Sequence, residues 1–449
     1  MKKGRNRKAL PREPFQLVIE KLSHEGRGIA YNDGKVVFVD DALAGESVNA
    51  VYTARHNNFD EARALEILHA SSQRVTPPCQ YALVCGGCSL QHFDSVAQLA
   101  FKESVLHEKL HHSTATRDYL KLAPVTGPVL AYRRKARLAA RFVARKEKVL
   151  VGFREKNSSF ITDMDSCAVL DSQVGSLLPA LGNVLLSLSV HRHIPQVEVA
   201  VGDPHSDGNT LALIIRHLQA LNAADIEILQ AFAREQRLDI YLQPEGPASV
   251  RKLEPTDGNE RLYYQLPAFN LSMAFHPLDF TQINADINKK MLSRAIDLLD
   301  LGEHDRVLDL FCGLGNFTLP MATLAESVLG IEGSGEMVAR GQENARRNQI
   351  DNVEFQCADL SKAPAQSPWS KMGFTKVLLD PPRSGALEIL PEIIALRPEK
   401  IVYISCDPAT LARDAGILAQ KGYKLMAAGV MDMFPHTAHV ESIALFEPC

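Results

Sequence analysis

The chain has 449 residues, 46% of them hydrophobic and 23% charged, with a net charge of −4. That length exceeds the usual size of one hydrophobic core, and the composition is that of an ordinary globular protein, so two or three domains are expected rather than a fibre or a disordered chain. No apolar run approaches the length of a bilayer-spanning helix, since the stretch from Leu177 to Val190 is broken by Pro179, Gly182 and Asn183. The basic start (Lys2, Lys3, Arg5, Arg7, Lys8) leads into Pro11-Arg12-Glu13-Pro14 and not into an apolar segment, which argues against a secretory leader. A cytoplasmic protein without a membrane partner is therefore expected. In that compartment the eight cysteines read as metal ligands, nucleophiles or packing residues, not as disulfides.

Charge is unevenly spread. Residues 1–150 hold 24 Lys and Arg against 15 Asp and Glu, and the remainder holds 25 against 38. A basic front on an acidic body suits a polyanion-binding segment joined to an enzyme. Residues 1–12 read as a basic tail, and 13–71 as a small β-barrel of the OB type. In that stretch five short strand-like segments alternate apolar and polar residues, and Asn32-Asp33-Gly34 signals a hairpin. Residues 72–268 read as a central α+β region with a cysteine-rich loop and an amphipathic helix near Val96–Leu110. From Phe269 to residue 449, strand and helix patterns alternate as in a doubly wound α/β sheet. Its buried strands are expected at Arg306–Leu310, Ser327–Ile331, Val353–Phe355, Lys376–Leu379 and Ile401–Ile404, with a further strand at Glu441–Phe446.

The first of these strands runs into Phe311-Cys312-Gly313-Leu314-Gly315-Asn316, a glycine-bearing turn that lets the backbone approach a ligand closely. Glu332 ends the next strand, where a carboxylate can accept hydrogen bonds from both hydroxyls of a ribose. This spacing fits a dinucleotide or S-adenosylmethionine. The missing third glycine of the phosphate-cradling pattern favours S-adenosylmethionine, which has no pyrophosphate. Asp359, after the third strand, is placed to meet an adenine.

The fourth strand ends in Asp380-Pro381-Pro382-Arg383, whose prolines stop strand pairing and project a rigid loop. The fifth ends in Ser405-Cys406-Asp407-Pro408, just ahead of a helix, where the positive helix end is expected to favour the Cys406 thiolate. Upstream, Cys79-x5-Cys85-x2-Cys88 and the distant Cys167 supply four thiols, a set that zinc and an iron–sulfur cluster both accept. Tyr132-Arg133-Arg134-Lys135-Ala136-Arg137, followed by Arg141, Arg145, Lys146 and Lys148, reads as a basic stripe that tracks phosphates, with Tyr132 stacking on a base. His436 and His439 lack an evident third ligand for a metal.

Taken in order, Phe280-Thr281-Gln282-Ile283-Asn284, Asp309–Asn316, Asp380–Arg383 and Ser405–Thr410 resemble the consecutive motifs of the RNA uracil-C5 methyltransferases. The resemblance implies a Rossmann-like methyltransferase domain over 269–449, with Cys406 as nucleophile and Glu441 as general base. It places Gln282, Phe311, Asn316, Glu332, Asp359 and Asp380 around S-adenosylmethionine. The ribosomal-RNA branch with the same cysteine spacing implies a [4Fe–4S] cluster on Cys79, Cys85, Cys88 and Cys167, with zinc as the second choice, and a TRAM domain at the N-terminus. Transfer-RNA members of the family are expected to match only the C-terminal half. The implied partner is therefore 23S ribosomal RNA, acted on by a monomer that methylates C5 of one uridine through a covalent adduct of Cys406 with C6. The alternatives are another ribosomal- or transfer-RNA uridine, an inactive RNA-binding iron–sulfur protein, and a DNA or amino-group methyltransferase. The last would leave Cys406 and Glu441 without a task.

Overall fold

Alternation in the first seventy residues resolves into a closed barrel. The structure is a computed structural model and describes residues 10–11, 13–114, 116–206, 208–253, 259–362, 369 and 372–449. The basic tail expected over 1–12 lies, apart from residues 10 and 11, outside them. Strands Phe15–Val18, Lys21–Leu22, Gly28–Asn32, Lys35–Asp40, Ser47–Arg55 and Phe59–His69 form one sheet. Phe15–Val18 pairs antiparallel with Ser47–Arg55 and Lys21–Leu22 with Gly28–Asn32, so one bent stretch closes the sheet from both sides. Lys35–Asp40 runs parallel to Phe59–His69, as an OB barrel requires. At the predicted hairpin, Asp33 and Gly34 both have positive φ, which matches the twist of the strands they join. Inward residues Leu17, Ile19, Val37, Val39, Val48 and Ala50 fill the barrel.

The chain forms two compact units. The first comprises residues 1–102 together with Pro435–His439, a short return from the far end of the sequence. Leu43, Leu90 and Phe93, with Leu22, Ala97, Phe101 and Ala438, make a second small core in it. The N–H groups of Ser89 and Leu90 donate to the His436 carbonyl at 3.0 and 2.9 Å. The Gln98 side-chain oxygen accepts from the His436 N–H at 2.9 Å. Glu46, fully buried, accepts from the Leu43 N–H and both sides of the Arg74 guanidinium, which holds its carboxyl below the usual range despite burial.

The second unit contains two larger sheets. One orders Arg251–Lys252, Asp239–Gln243, Leu211–Arg216, Gln196–Val201, Lys135–Val143 and Lys148–Gly152, with helices Ser172–Ser187 and Ala223–Gln236. The other has eight strands, ordered Val353–Cys357, Ser327–Glu332, Arg306–Leu310, Lys376–Leu379, Lys400–Ser405, Glu441–Pro448, Tyr423–Met431 and Leu120–Lys121. Its first five strands are parallel, and Glu441–Pro448 inserts antiparallel between Lys400–Ser405 and Tyr423–Met431. Four of these are almost continuously apolar because both faces are covered, whereas the edge strand Val353–Cys357 buries only Phe355. Strand order reverses between Arg306–Leu310 and Lys376–Leu379, and the crevice beyond such a switch point is where open α/β sheets bind ligands. No described helix is long and apolar enough to cross a membrane.

Candidate active site at the carboxyl edge of the parallel sheet

The glycine turn wraps onto the neighbouring strand. The N–H groups of Phe311 and Cys312 both donate to the Ile331 carbonyl, at 2.9 and 3.1 Å. Phe311 has φ +66°, an unusual conformation for a bulky residue and one that turns the chain out of the strand. Gly315 has φ +93°, and a Cβ there would come within 3.0 Å of the Phe355 ring, so the turn requires glycine. Glu332 is clamped at the turn, with its carboxylate accepting from the Gly313 N–H at 3.1 Å and the Ser334 N–H at 2.9 Å. Asp309, fully buried beneath the turn, accepts from the Thr318 hydroxyl at 2.6 Å. Burial, together with Asp380 and Glu332, pushes its carboxyl up to about 8.

Cys406 and Glu441 lie on neighbouring strands. Ser405 pairs with Ser442, so Cys406 and Glu441 are the next step outward on the same ladder. Glu441 is buried, and burial and the nearby Asp380 raise its carboxyl well above the ordinary range, with Arg383 opposing. Cys406 is half-buried, and its thiol is pushed up to about 11 by burial and by Glu441 and Asp380, again opposed by Arg383. The helix end does not make it a thiolate, contrary to expectation. Burial is the leading cause and the two neighbouring carboxyl groups add to it, while the Asp407 carboxylate caps helix Pro408–Gln420 by accepting from the Ala409 N–H at 2.8 Å. Burial also pushes Asp380 up to about 7.

Other predicted residues take different places. Gln282 lines a small open cleft with Arg134, Tyr264, Asn288 and Lys289. Asn316 approaches that cleft through its neighbours. Its side-chain oxygen accepts from the Tyr264 hydroxyl (2.9 Å) and from the Asn288 amide (3.1 Å), and its own amide donates to Asn288 at 2.9 Å. Asp359 is exposed, two residues beyond the third strand, where Lys362 and Ser361 hold it at about 2. Sequence reasoning missed Tyr264, Asn288 and the roles of Asp309 and Arg383. Helical spacing after the Asn284 cap places Asn288 one turn into Ala285–Leu299, facing inward, and that was the available signal.

The basic stripe is partly neutralised. Tyr132 is buried and offers no stacking face. Arg134 pairs with Asp203 at 2.5 Å, and Lys135 donates to the Asp279 carbonyl, with burial bringing its ammonium down to about 8. Arg137 pairs with Glu198, whereas Arg141, Arg145 and Lys148 are exposed. Cys79, Cys85 and Cys88 belong to the first unit and Cys167 to the second; none forms a disulfide. The Gly87 N–H donates to Cys85 Sγ at 3.4 Å. Among the described residues no three His, Cys, Asp or Glu side chains are gathered as a metal ion would require.

Comparison with known proteins places this architecture. The tRNA (uracil-5-)-methyltransferase family matches residues 95–448, and the TRAM domain matches residues 10–65. The 23S rRNA (uracil(1939)-C(5))-methyltransferase RlmD of Alkalilimnicola ehrlichii is 53% identical over 445 residues, covering 99% of each chain. Its counterpart in Hahella chejuensis is 51% identical over 449 residues, again with 99% of each covered. A crystal structure of the Pyrococcus abyssi tRNA (uracil-54, C5)-methyltransferase, in complex with S-adenosyl-L-homocysteine, has the same fold, with a TM-score of 0.73 at 23% identity over 96% of this chain and 100% of that one. A transfer-RNA enzyme thus shares both halves of the architecture, which corrects the expectation that such enzymes match only the C-terminal half. Matched over most of its length and half-identical throughout to two uracil-C5 methyltransferases, the chain belongs to the tRNA (uracil-5-)-methyltransferase family.

Proposed function

We propose that this protein transfers a methyl group from S-adenosylmethionine to C5 of one uridine in 23S ribosomal RNA, through a covalent bond between Cys406 Sγ and C6. The observation that carries the chemistry is the adjacency of Cys406 and Glu441 on paired strands, with Asp380 and Arg383 beside both. The choice of RNA is supported by relatives of that name, half-identical over their full length.

The Glu332 carboxylate, held at the glycine turn by the Gly313 and Ser334 N–H groups, suits the crevice to the hydroxyls of a ribose. We assign Glu332 to the ribose, Asp359 to the adenine, and Gln282, Phe311, Asn316 and Asp380 to the remainder of the ligand. S-adenosylmethionine, when bound, supplies the methyl group as part of a sulfonium cation. C5 of uracil is too weak a nucleophile by itself. Cys406 adds to C6 as the thiolate, its proton having passed to solvent, the C5–C6 π electrons become an enolate, and C5 gains the reactivity it lacked. After methylation Glu441 takes the proton from C5, the double bond re-forms, and the Cys406–C6 bond breaks. Burial suits Glu441 to this step, because a carboxylate with a raised pKa is the stronger base. The target base must leave its stack to reach the crevice.

Two variants test the assignment. Cys406→Ala should abolish transfer and adduct alike. Glu441→Gln should lower turnover by about 10²–10⁴-fold, the usual worth of a general base, while a methylated protein–RNA adduct accumulates on denaturing gels. Transfer at the wild-type rate by Cys406→Ala would sink the mechanism. We further assign a [4Fe–4S] cluster to Cys79, Cys85, Cys88 and Cys167, with zinc as the second choice. Four unbridged thiols and the amide hydrogen bond to Cys85 support it. Anaerobically purified protein should then show broad visible absorption and about four irons per chain by the cluster's stoichiometry, and colourless protein holding zinc would reverse the order of the two. A cytoplasmic monomer completes the reading.

A further inference from the structure

Asp414 is fully buried on helix Pro408–Gln420 and takes no part in the chemistry described above. Its carboxylate nonetheless has partners on three segments. Oδ2 accepts from the Tyr403 hydroxyl at 2.7 Å and from the Ala386 N–H at 2.8 Å. Oδ1 accepts from both Nε and Nη2 of Arg413, at 2.8 and 2.7 Å. Arg413 Nη2 also donates to the Ser384 carbonyl at 2.9 Å. Tyr403 lies on the strand that ends at the nucleophile, whereas Ser384 and Ala386 follow directly on Asp380–Arg383.

Between those two anchor points the loop makes a tight turn. The Gly385 N–H donates to the Pro382 carbonyl at 2.9 Å, which puts Arg383 at the first corner. Gly385 has φ +81°, and a Cβ there would lie 2.5 Å from Arg413 Nη2 and 2.7 Å from Asp414 Oδ2. The loop therefore seats its backbone directly on the pair. A buried carboxylate with every lone pair engaged is costly to disturb and geometrically exacting.

We propose that Asp414, with Arg413, is a positioning residue that fixes the Asp380–Arg383 loop relative to Cys406 and so keeps the Arg383 guanidinium beside the nucleophile. The inference rests on the reading of Cys406 as nucleophile. The charged groups facing Cys406 are Glu441, Asp380 and Arg383, of which Arg383 alone favours the thiolate. Those around the clamp are Arg413, Tyr403 and Glu388. Releasing the loop at Ser384 and Ala386 frees Arg383, which adjoins them, while Glu441 stays on its strand and Asp380, at the far end of the loop, stays tied to the sheet by its N–H donating to the Leu310 carbonyl at 3.3 Å.

The test is the pH dependence of Cys406 alkylation by iodoacetamide in RNA-free protein, read by mass spectrometry of the peptide that contains it. In Asp414→Asn the half-maximal pH should move upward by about one unit, a tenfold smaller thiolate fraction in the neutral range. Arg413→Lys, a half-exposed position that keeps the charge but loses the fork, should move it the same way by less. Should Asp414→Asn fail to fold, Arg413→Lys decides alone. An unmoved profile in the folded variants overturns the inference, whatever happens to turnover, because a merely structural role would lower activity without shifting the thiol. The two readings separate on the wild type. If alkylating Cys406 leaves methyl transfer intact, the nucleophile assignment falls. If it stops transfer but the variants keep the wild-type profile, only the positioning role falls.

Discussion

Asp309 shows how far burial moves a carboxyl group that has a single donor. Thr318 satisfies Oδ2, and Oδ1 has no hydrogen-bond partner among the described residues. With its folded value about 8 and its ordinary value 3.8, the native state holds a proton that the unfolded chain has released across that whole window. Stability contributed by this group is therefore present below pH 4 and is lost as pH rises toward 8. Asp309→Asn mimics the protonated form, so it should flatten the fall in Tm between pH 5 and 8 that the wild type shows. An equal slope in both proteins would mean that Asp309 is ionised in the fold. At this scale the sequence was legible for residue types and not for their states. Cys406, Glu441, Glu332 and Asp380 stand at the sheet edge as read from motif order. The thiol's protonation departs from the motif reading, because burial and the carboxyl groups of Glu441 and Asp380, brought in from other segments, outweigh the helix end. The mutual bonds of Asn316 and Asn288 join residues far apart in the sequence, which no local pattern reveals.

Among the elements, the inner parallel strands were the most readable, since burial on both faces leaves short apolar runs that few other structures require. All five appear within a residue or two of where they were expected. Tyr423–Met431 was missed. Its Ala427, Ala428 and Gly429 lack the branched side chains typical of strands, and its pairing shifts register between Leu425 and Ala427. Close packing explains the small residues, since a Cβ at Gly429 would meet Leu122 at 2.7 Å. Leu120–Lys121 is a two-residue edge strand and too short to leave a period. The barrel was read with five strands and has six, because the first stretch divides where it passes from one partner to the other. The central sheet resisted reading for a further reason. Its strands mix parallel and antiparallel neighbours, so neither strict alternation nor a run of βαβ units announces it.

Over the whole molecule, the asymmetry of charge survives in reduced form. Several cations in the basic third are tied to carboxylates or carbonyls, as Arg134 and Lys135 are, and those left exposed on the Lys135–Val143 and Lys148–Gly152 strands are fewer. Arg141 pairs with Leu150 and Val143 with Lys148, which keeps Arg141 and Lys148 close together on adjoining strands. If both meet phosphates, the double variant Arg141→Ala, Lys148→Ala should reduce the slope of log affinity against log salt for ribosomal RNA by about 1.5. A slope equal to that of the wild type would place the RNA elsewhere. The return of Pro435–His439 to the first unit has a temporal meaning as well. Domains made first on the ribosome usually fold first. Here the amides of Ser89 and Leu90 and the side chain of Gln98 wait for His436, which is made more than three hundred residues later. A nascent chain halted before that point lacks the contacts that complete its first unit, so that unit settles only after residues of the second unit have been made.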